Sequence, residues 1–180
     1  MTRVDLNSFT ISSGSKSRSF DNAVLVFLSK RLLFTMIKNT DFNGSVDTNP
    51  YKFRHYDISE FSLFVKGRRL PSVGLFLDTD HEKTSVMGYR TPFEESGIHY
   101  SNTGLQITHD MYINGFFMLL FDLTTDHAVS EAHTSLPENG NIRIELQFSR
   151  PLPEAISCLL YLEYDSTVLI NFSSNIPTDL

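Results

Sequence analysis

Residues 141–148 alternate Ile142, Ile144, Leu146 and Phe148 with Asn141, Arg143, Glu145 and Gln147. A period of two predicts a β-strand with one buried and one wet face. On either side, residues 115–124 and 155–164 are more continuously apolar, as strands covered on both faces would be. A short apolar coda follows at 167–170. Turn residues punctuate the series at Glu138-Asn-Gly-Asn141, Arg150-Pro-Leu-Pro153 and Asp165-Ser166. This stretch predicts three or four strands of a β-sandwich.

The upstream half carries the same signals less regularly. Val4, Leu6, Phe9 and Ile11 change phase midway, which predicts a strand broken by one irregular step. Residues 12–19, rich in Ser and Gly, read as an exposed flexible loop. Residues 31–38 make a clear strand, while 23–28 fit either a strand or an irregular lead-in. From Asn39 to Pro50 turn residues dominate, and Pro50 biases Asn49 away from helix, so a long surface connection is expected. Large rings then alternate with polar groups over 51–56. Residues 61–65 and 68–70 predict a hairpin that turns near Lys66-Gly67, with Gly67 supplying a positive φ.

Between 78 and 114 the strand signal fades. Residues 85–95 suit a helix but are interrupted by Gly88 and Pro92, and 108–113 suit one helical turn capped by Thr108. No repeat or heptad appears. The expectation is one all-β domain over 1–180: a sandwich of about eight antiparallel strands in two sheets, with one or two short helices in long loops. Flexible stretches are expected near 12–20 and in a C-terminal tail at 173–180.

A chain of 180 residues can bury roughly 70% of its unfolded surface, so no covalent staple is needed. The one cysteine, Cys158, lies in an apolar strand and reads as a buried, inert thiol in a reducing compartment. A net charge of −6 argues against nucleic acid as the main partner, although basic residues cluster at Lys30-Arg31 and at Lys66-Gly-Arg-Arg69. No apolar run reaches the ~20 residues that a membrane-spanning helix needs, and the N-terminus has no signal-peptide core.

Candidate chemistry is sparse. His55, His81, His99, His109, His127 and His133 fall at none of the short spacings that place two imidazoles on one metal. The His-x-His pair of cupins is absent. So are the Gly-x-Ser-x-Gly elbow and phosphate-cradling glycine loops, and Cys158 has no evident His partner. No enzyme activity, cofactor or metal is expected.

Several blocks together resemble a known family. They are Arg31-Leu-Leu-Phe-Thr-Met-Ile-Lys-Asn-Thr-Asp-Phe-Asn-Gly-Ser45, Asn49-Pro-Tyr-Lys-Phe-Arg-His-Tyr56 and Phe61-Ser-Leu-Phe-Val-Lys-Gly-Arg-Arg-Leu-Pro71. Gly115 with Phe121-Asp-Leu-Thr124, Gly140-Asn-Ile-Arg-Ile-Glu-Leu-Gln-Phe148 and Tyr161-Leu-Glu163 follow in order. Over residues 3–172 they resemble the C-terminal jelly roll of the capsid-like proteins of Polinton (Maverick) elements and adintoviruses, whose copies sit in many animal genomes. The resemblance implies a single jelly roll in which 115–124, 141–148 and 155–164 are the last three long strands and alternate between sheets, rather than forming a meander. It also implies self-association, as a trimer or capsid lattice with other capsid proteins. Those proteins carry a further N-terminal jelly roll. The chain is therefore expected to be a fragment, a truncated copy or a single-domain descendant, in a virion or, as a domesticated copy, inside a cell.

Asn43, Tyr51, Phe53, Arg68, Arg69, Tyr89 and Tyr100 are the candidate interface residues. The alternative is a binding module of the same architecture, recognising a carbohydrate or protein ligand through its loops, for which Tyr51, Phe53, Tyr56, Tyr89 and Tyr100 would have to be exposed.

Overall fold

The computed structural model describes residues 2–77, 86–96, 106–124 and 139–165, the side chains of 25–27 excepted. The coda at 167–170 and the tail at 173–180 lie outside the described residues. The elements run β1 (Thr2–Ile11), β2 (Ser17–Phe27), β3 (Arg31–Lys38), α1 (Asn39–Phe42), β4 (Ile58–Val65) and β5 (Arg68–Phe76). After these come α2 (Val86–Glu95), α3 (His109–Asn114), β6 (Met118–Asp122), β7 (Asn139–Phe148) and β8 (Ile156–Asp165).

Strand pairing follows one rule. β1 pairs with β8, β2 with β7, β3 with β6 and β4 with β5, all antiparallel, as in one long hairpin. Further pairings of β3 with β8 and of β4 with β7 roll that hairpin into two four-stranded sheets, β1-β8-β3-β6 and β2-β7-β4-β5. This is the jelly roll. β6, β7 and β8 alternate between sheets, as the resemblance implies.

The core forms where the two inner faces meet. β3 contributes Leu32, Phe34 and Met36, β8 contributes Cys158, Leu160 and Leu162, and β7 and β4 contribute Ile142, Ile144, Leu146, Phe61 and Leu63. Phe61 stacks on Phe121 at 5.2 Å between ring centroids and tilts against Phe34 at 4.8 Å, so three rings join the sheets. Offset aromatic pairs of this kind add about 0.5–1.5 kcal/mol each to the area they bury. Cys158 is buried and unpaired by disulfide, and burial pushes its thiol well up.

The outer faces differ. On β2-β7-β4-β5 the outward side chains of β7 and β4 are mainly polar: Arg143 reaches Glu145 at 2.7 Å and lies 4.4 Å from the Phe64 ring centroid, and Arg69 pairs with Glu60, while Phe76 of the edge strand β5 stands outward at 60% exposure. On β1-β8-β3-β6 the outward row includes Val4, Leu6 and Tyr161, at 44, 60 and 39% exposure.

Three local expectations change, and at 23–28 the strand alternative holds. β1 is continuous and keeps one unbroken register against β8, with no irregular step. The phase change is real, but it is met by turning Val4 and Leu6 outward while Phe9 and Ile11 turn inward. The loop at 12–19 is shorter than expected, because Ser17–Ser19 already pair with β7. The lead-in at 23–28 is strand as far as Phe27, entered through a bulge between Phe20 and Val24 where Asn22 takes φ 54°. At 115–124 only Met118–Asp122 is strand, and Gly115 closes α3 instead.

The hairpin turns where expected: Lys66 and Gly67 both take positive φ, 52° and 76°. Thr108 caps α3 by accepting from the Met111 amide at 3.2 Å, also as expected.

α2 runs through both Gly88 and Pro92. Pro92 has no N–H for the carbonyl four residues back, which belongs to Gly88. The Thr91 hydroxyl donates to that carbonyl at 3.0 Å and accepts from the Leu120 amide of β6 at 3.2 Å. Glu95 accepts from the Asp122 amide at 3.1 Å. A Cβ at Gly88 would come within 3.0 Å of Leu77 and of the Tyr112 hydroxyl, so glycine lets the helix lie close. Thr91 and Glu95 thus dock the helix on the outer edge of β6, and Gly88 lets it lie close.

Replacing Thr91 by valine keeps the shape and removes both hydrogen bonds. Thr91→Val is expected to lower unfolding free energy by about 1–3 kcal/mol, with faster exchange of the Leu120 amide, and Thr91→Ser, which keeps the hydroxyl, to avoid most of that loss. Urea denaturation with amide exchange checks both.

Candidate interaction surfaces

The long connection from β3 to β4 begins with α1, which is tied down at its start. The Asn39 amide donates to the Ala155 carbonyl at 3.1 Å, and the Ser157 hydroxyl reaches Asn39 Oδ1 at 2.8 Å. Past Asn43, whose side chain is exposed, the chain leaves the sandwich. It returns at Phe53, which forms a bridge with Phe116 and exchanges hydrogen bonds with Gly115 and Phe117 at 2.9 and 3.4 Å. Arg54 then donates from its amide to the Met36 carbonyl at 3.0 Å. The excursion presents Phe42, Val46 and Tyr51 to solvent, at 41, 103 and 73% exposure, and Phe116 and Met111 stand at 40% each.

Of the predicted interface residues, Asn43, Tyr51 and Phe53 therefore share this loop end, with Phe53 half-buried. Arg68 and Arg69 lie at the opposite end, beyond the eight-residue strand β4, a distance of roughly 26 Å. Arg68 is exposed, whereas Arg69 is held by Glu60 and by Ser62 at 2.5 Å. Tyr89 is a packing residue. Its hydroxyl donates to the Ile107 carbonyl at 2.8 Å and its ring meets Tyr112 at 5.5 Å, joining α2 to α3. Tyr100 lies outside the described residues. The set is two surfaces and a strut, not one site. Phe42, Val46, Met111 and Phe116 belong with the loop end and were not singled out in the sequence: Phe42 and Val46 are isolated apolar residues in a turn-rich segment, Met111 fell in an expected helical turn, and Phe116 read as part of a strand covered on both faces.

Beside the loop end, between the β3–β4 and β7–β8 connections, lies a depression of about 340 Å³ lined by Lys52, Arg54, His55, Tyr56, Arg150 and Glu154, among others. Its floor is strained: Tyr56 and Asp57 both take left-handed φ, 49° and 52°, although neither is glycine. Each such residue costs roughly 1–2 kcal/mol. Hydrogen bonds hold the turn, since the Ser149 amide donates to the Asp57 carbonyl at 2.8 Å and the Ile58 amide to His55 at 3.0 Å. Desolvation raises the Tyr56 phenol, and Glu154 beside it pushes in the same direction. Lys38 is also raised, mainly by its hydrogen bond to Glu154 at 2.8 Å.

His55 Nδ1 accepts from the Asp57 amide at 3.0 Å, and burial lowers its pKa from 6.5 against a smaller opposing pull from Asp57. Its carboxylate neighbour at 3.6 Å would favour a charged ring, but the accepted amide hydrogen and the desolvation both favour the neutral one. Among the described residues no three His, Cys, Asp or Glu side chains converge on a metal position, and no helix is long and apolar enough to cross a membrane. His81, His99, His127 and His133 lie outside the described residues.

No protein-family model matches the chain. The chain is similar to an uncharacterized Caenorhabditis elegans protein, F54H12.2, with 23% identity over 181 aligned residues. That match covers 97% of the chain and 42% of the worm protein, so the chain spans under half the length of this relative.

The His55 geometry sets a pH dependence. The folded state resists protonation that the unfolded chain accepts, so the contribution of His55 is complete above about pH 6.5 and is lost as pH falls below it. Urea midpoints are expected to decline from pH 7 to 5.5 in the parent chain and to decline less in His55→Gln.

Proposed function

We propose that the chain is a capsid-type jelly-roll building block that works by associating with copies of itself. The observation that carries this reading is the loop end, where Phe42, Val46, Tyr51, Met111 and Phe116 stand exposed on one end of a sandwich whose core is otherwise well filled. Exposed aromatic and aliphatic side chains carried by adjoining segments at one end of a fold are costly in water and recur at contact surfaces. The ordered blocks from Arg31 to Glu163 that resemble the capsid-like proteins of Polinton elements and adintoviruses support the same reading. On it the chain resides in a virion or, as a domesticated copy, within a cell.

A second reading has its own observation. The depression beside the loop end offers Lys52 and Arg54, with Asp57 and Glu154 also in its lining, around a strained turn. Strained turns recur at ligand sites. This favours a binding module for an acidic ligand such as a sulfated or sialylated oligosaccharide.

Light scattering over a concentration series with electron microscopy tests the first reading. Oligomers or particles are expected, and Phe42→Ser with Tyr51→Ala is expected to weaken association about tenfold or more. A chain that stays monomeric throughout would overturn the reading. Titration with sulfated and sialylated oligosaccharides tests the second: Arg54→Ala is expected to abolish saturable binding, and no binding by the parent chain removes this alternative.

A further inference from the structure

Two open sheets have four edge strands, and three of them are blocked. The outer edge of β6 is occupied by Thr91 and Glu95 of α2, which take the Leu120 and Asp122 amides. β5 carries Pro71 and a register break against β4. β2 is interrupted by its bulge at Asn22. Helices, prolines and bulges are the usual means of making an edge unfit for pairing. β1 has none of them.

β1 is ten residues long, contains no Gly or Pro, and pairs in unbroken register with β8 on one side only, among the described residues. Its two halves differ on the other side. From Asn7 onward, β2 of the facing sheet closes in: Asn7 Nδ2 donates to the Ala23 carbonyl at 3.3 Å, and the Phe9 and Phe20 rings approach to 4.8 Å. Among the described residues Thr2–Leu6 has no such neighbour, and Thr2, Arg3, Val4 and Leu6 are all exposed there.

We infer that Thr2–Leu6 pairs antiparallel with the same segment of a second copy about a two-fold axis at Val4. This deepens the self-association reading and rests on it. The charges select the register. Faces are preserved across a two-fold only when the numbers of opposed residues sum to an even value. A sum of six sets Arg3 against the partner's Arg3, and ten sets Asp5 against the partner's Asp5; both oppose like charges. Sums of twelve or more draw in Asn7 and Phe9, where β2 already lies. A sum of eight remains, and it sets Arg3 against the partner's Asp5 on each side of the axis, with Val4 on the partner's Val4 and Leu6 on the partner's Thr2.

The joined sheet has eight strands, and Val4, Leu6 and Tyr161 of both copies form one apolar band on its outer face. The contact is isologous, so it closes at two copies and leaves no further β1 edge for fibre growth. Five residues per copy make a small interface, and dimers are expected at about 100 μM.

Charge reversal tests the pairing in the full chain, by sedimentation velocity across that concentration range. Arg3 and Asp5 form an exposed ion pair within the strand at 3.4 Å, with side chains 56 and 39% exposed; such surface pairs add little to stability, so Arg3→Asp and Asp5→Arg are expected to melt close to the parent chain. Each variant alone is expected to dimerise at least tenfold more weakly, and an equimolar mixture of the two is expected to restore dimers, because their segments then carry opposite charge. Parent-chain association that neither variant weakens, or a mixture that stays monomeric, overturns the β1 pairing and leaves association through the loop end standing. A parent chain that never associates overturns both.

Discussion

Every backbone N–H and C=O at the rim of a β-sheet needs a partner, and a sandwich of two open sheets has four such rims. In this chain the long hairpin that pairs β1 with β8 and β4 with β5, rolled so that β3 meets β8 and β4 meets β7, satisfies the interior of both sheets. What is left is an edge problem. Water can hydrate an exposed edge, but another strand can also take it. The architecture outside the core is largely a set of answers: α2 against β6, Pro71 within β5, a bulge in β2. Thr91 carries one of these answers, since its hydroxyl serves the carbonyl that Pro92 cannot bond and the amide that β6 leaves open. Remove it, and the helix keeps only the Glu95 bond to the Asp122 amide among the hydrogen bonds described between it and β6.

The parts of the fold that were legible in the sequence are those where burial and period agree. β7 shows this directly, because Ile142, Ile144, Leu146 and Phe148 are buried and the residues between them are not. The turn at Lys66-Gly67 and the cap at Thr108 were legible because local chemistry alone decides them. α2 was obscured for a physical reason: propensity penalises Gly88 and Pro92, while tertiary contact rewards them. Gly88 admits Leu77 and Tyr112 at close range, and Thr91 replaces the hydrogen bond that proline forfeits. A penalty visible along the chain was offset by contacts visible only in three dimensions.

The surfaces were less legible than the core. Asn43, Tyr51 and Phe53 do share one end of the sandwich, because a turn-rich connection of that length has to cross it. Arg68 and Arg69 were grouped with them by residue type, yet a whole strand separates the two places. Tyr89 was chosen as a ring in a loop and is instead pinned by its hydroxyl to Ile107. Aromatic rings near turns serve packing and recognition equally well, so residue type alone does not separate the two. Exposure does, and exposure depends on what the fold brings beside each ring.

β1 joins these two themes. Its phase change between Leu6 and Phe9 looked like a break because a strand with one buried face is expected to keep one phase. The strand stays whole, and the pattern breaks at the surface. Toward Ile11 the inward residues are apolar and reach the core, whereas toward Thr2 the inward residues are Arg3 and Asp5 and the apolar ones face out. Register against β8 forbids a slip that would bury Val4 and Leu6, because the same slip would expose Phe9 and Ile11. The chain keeps the half of the strand that the core needs and leaves the other half with its apolar residues in water. A half-strand that no described residue of the monomer buries, and that carries no bulge or proline, is stable in isolation only at a cost in exposed area, and pairing with a second such segment would reduce that cost.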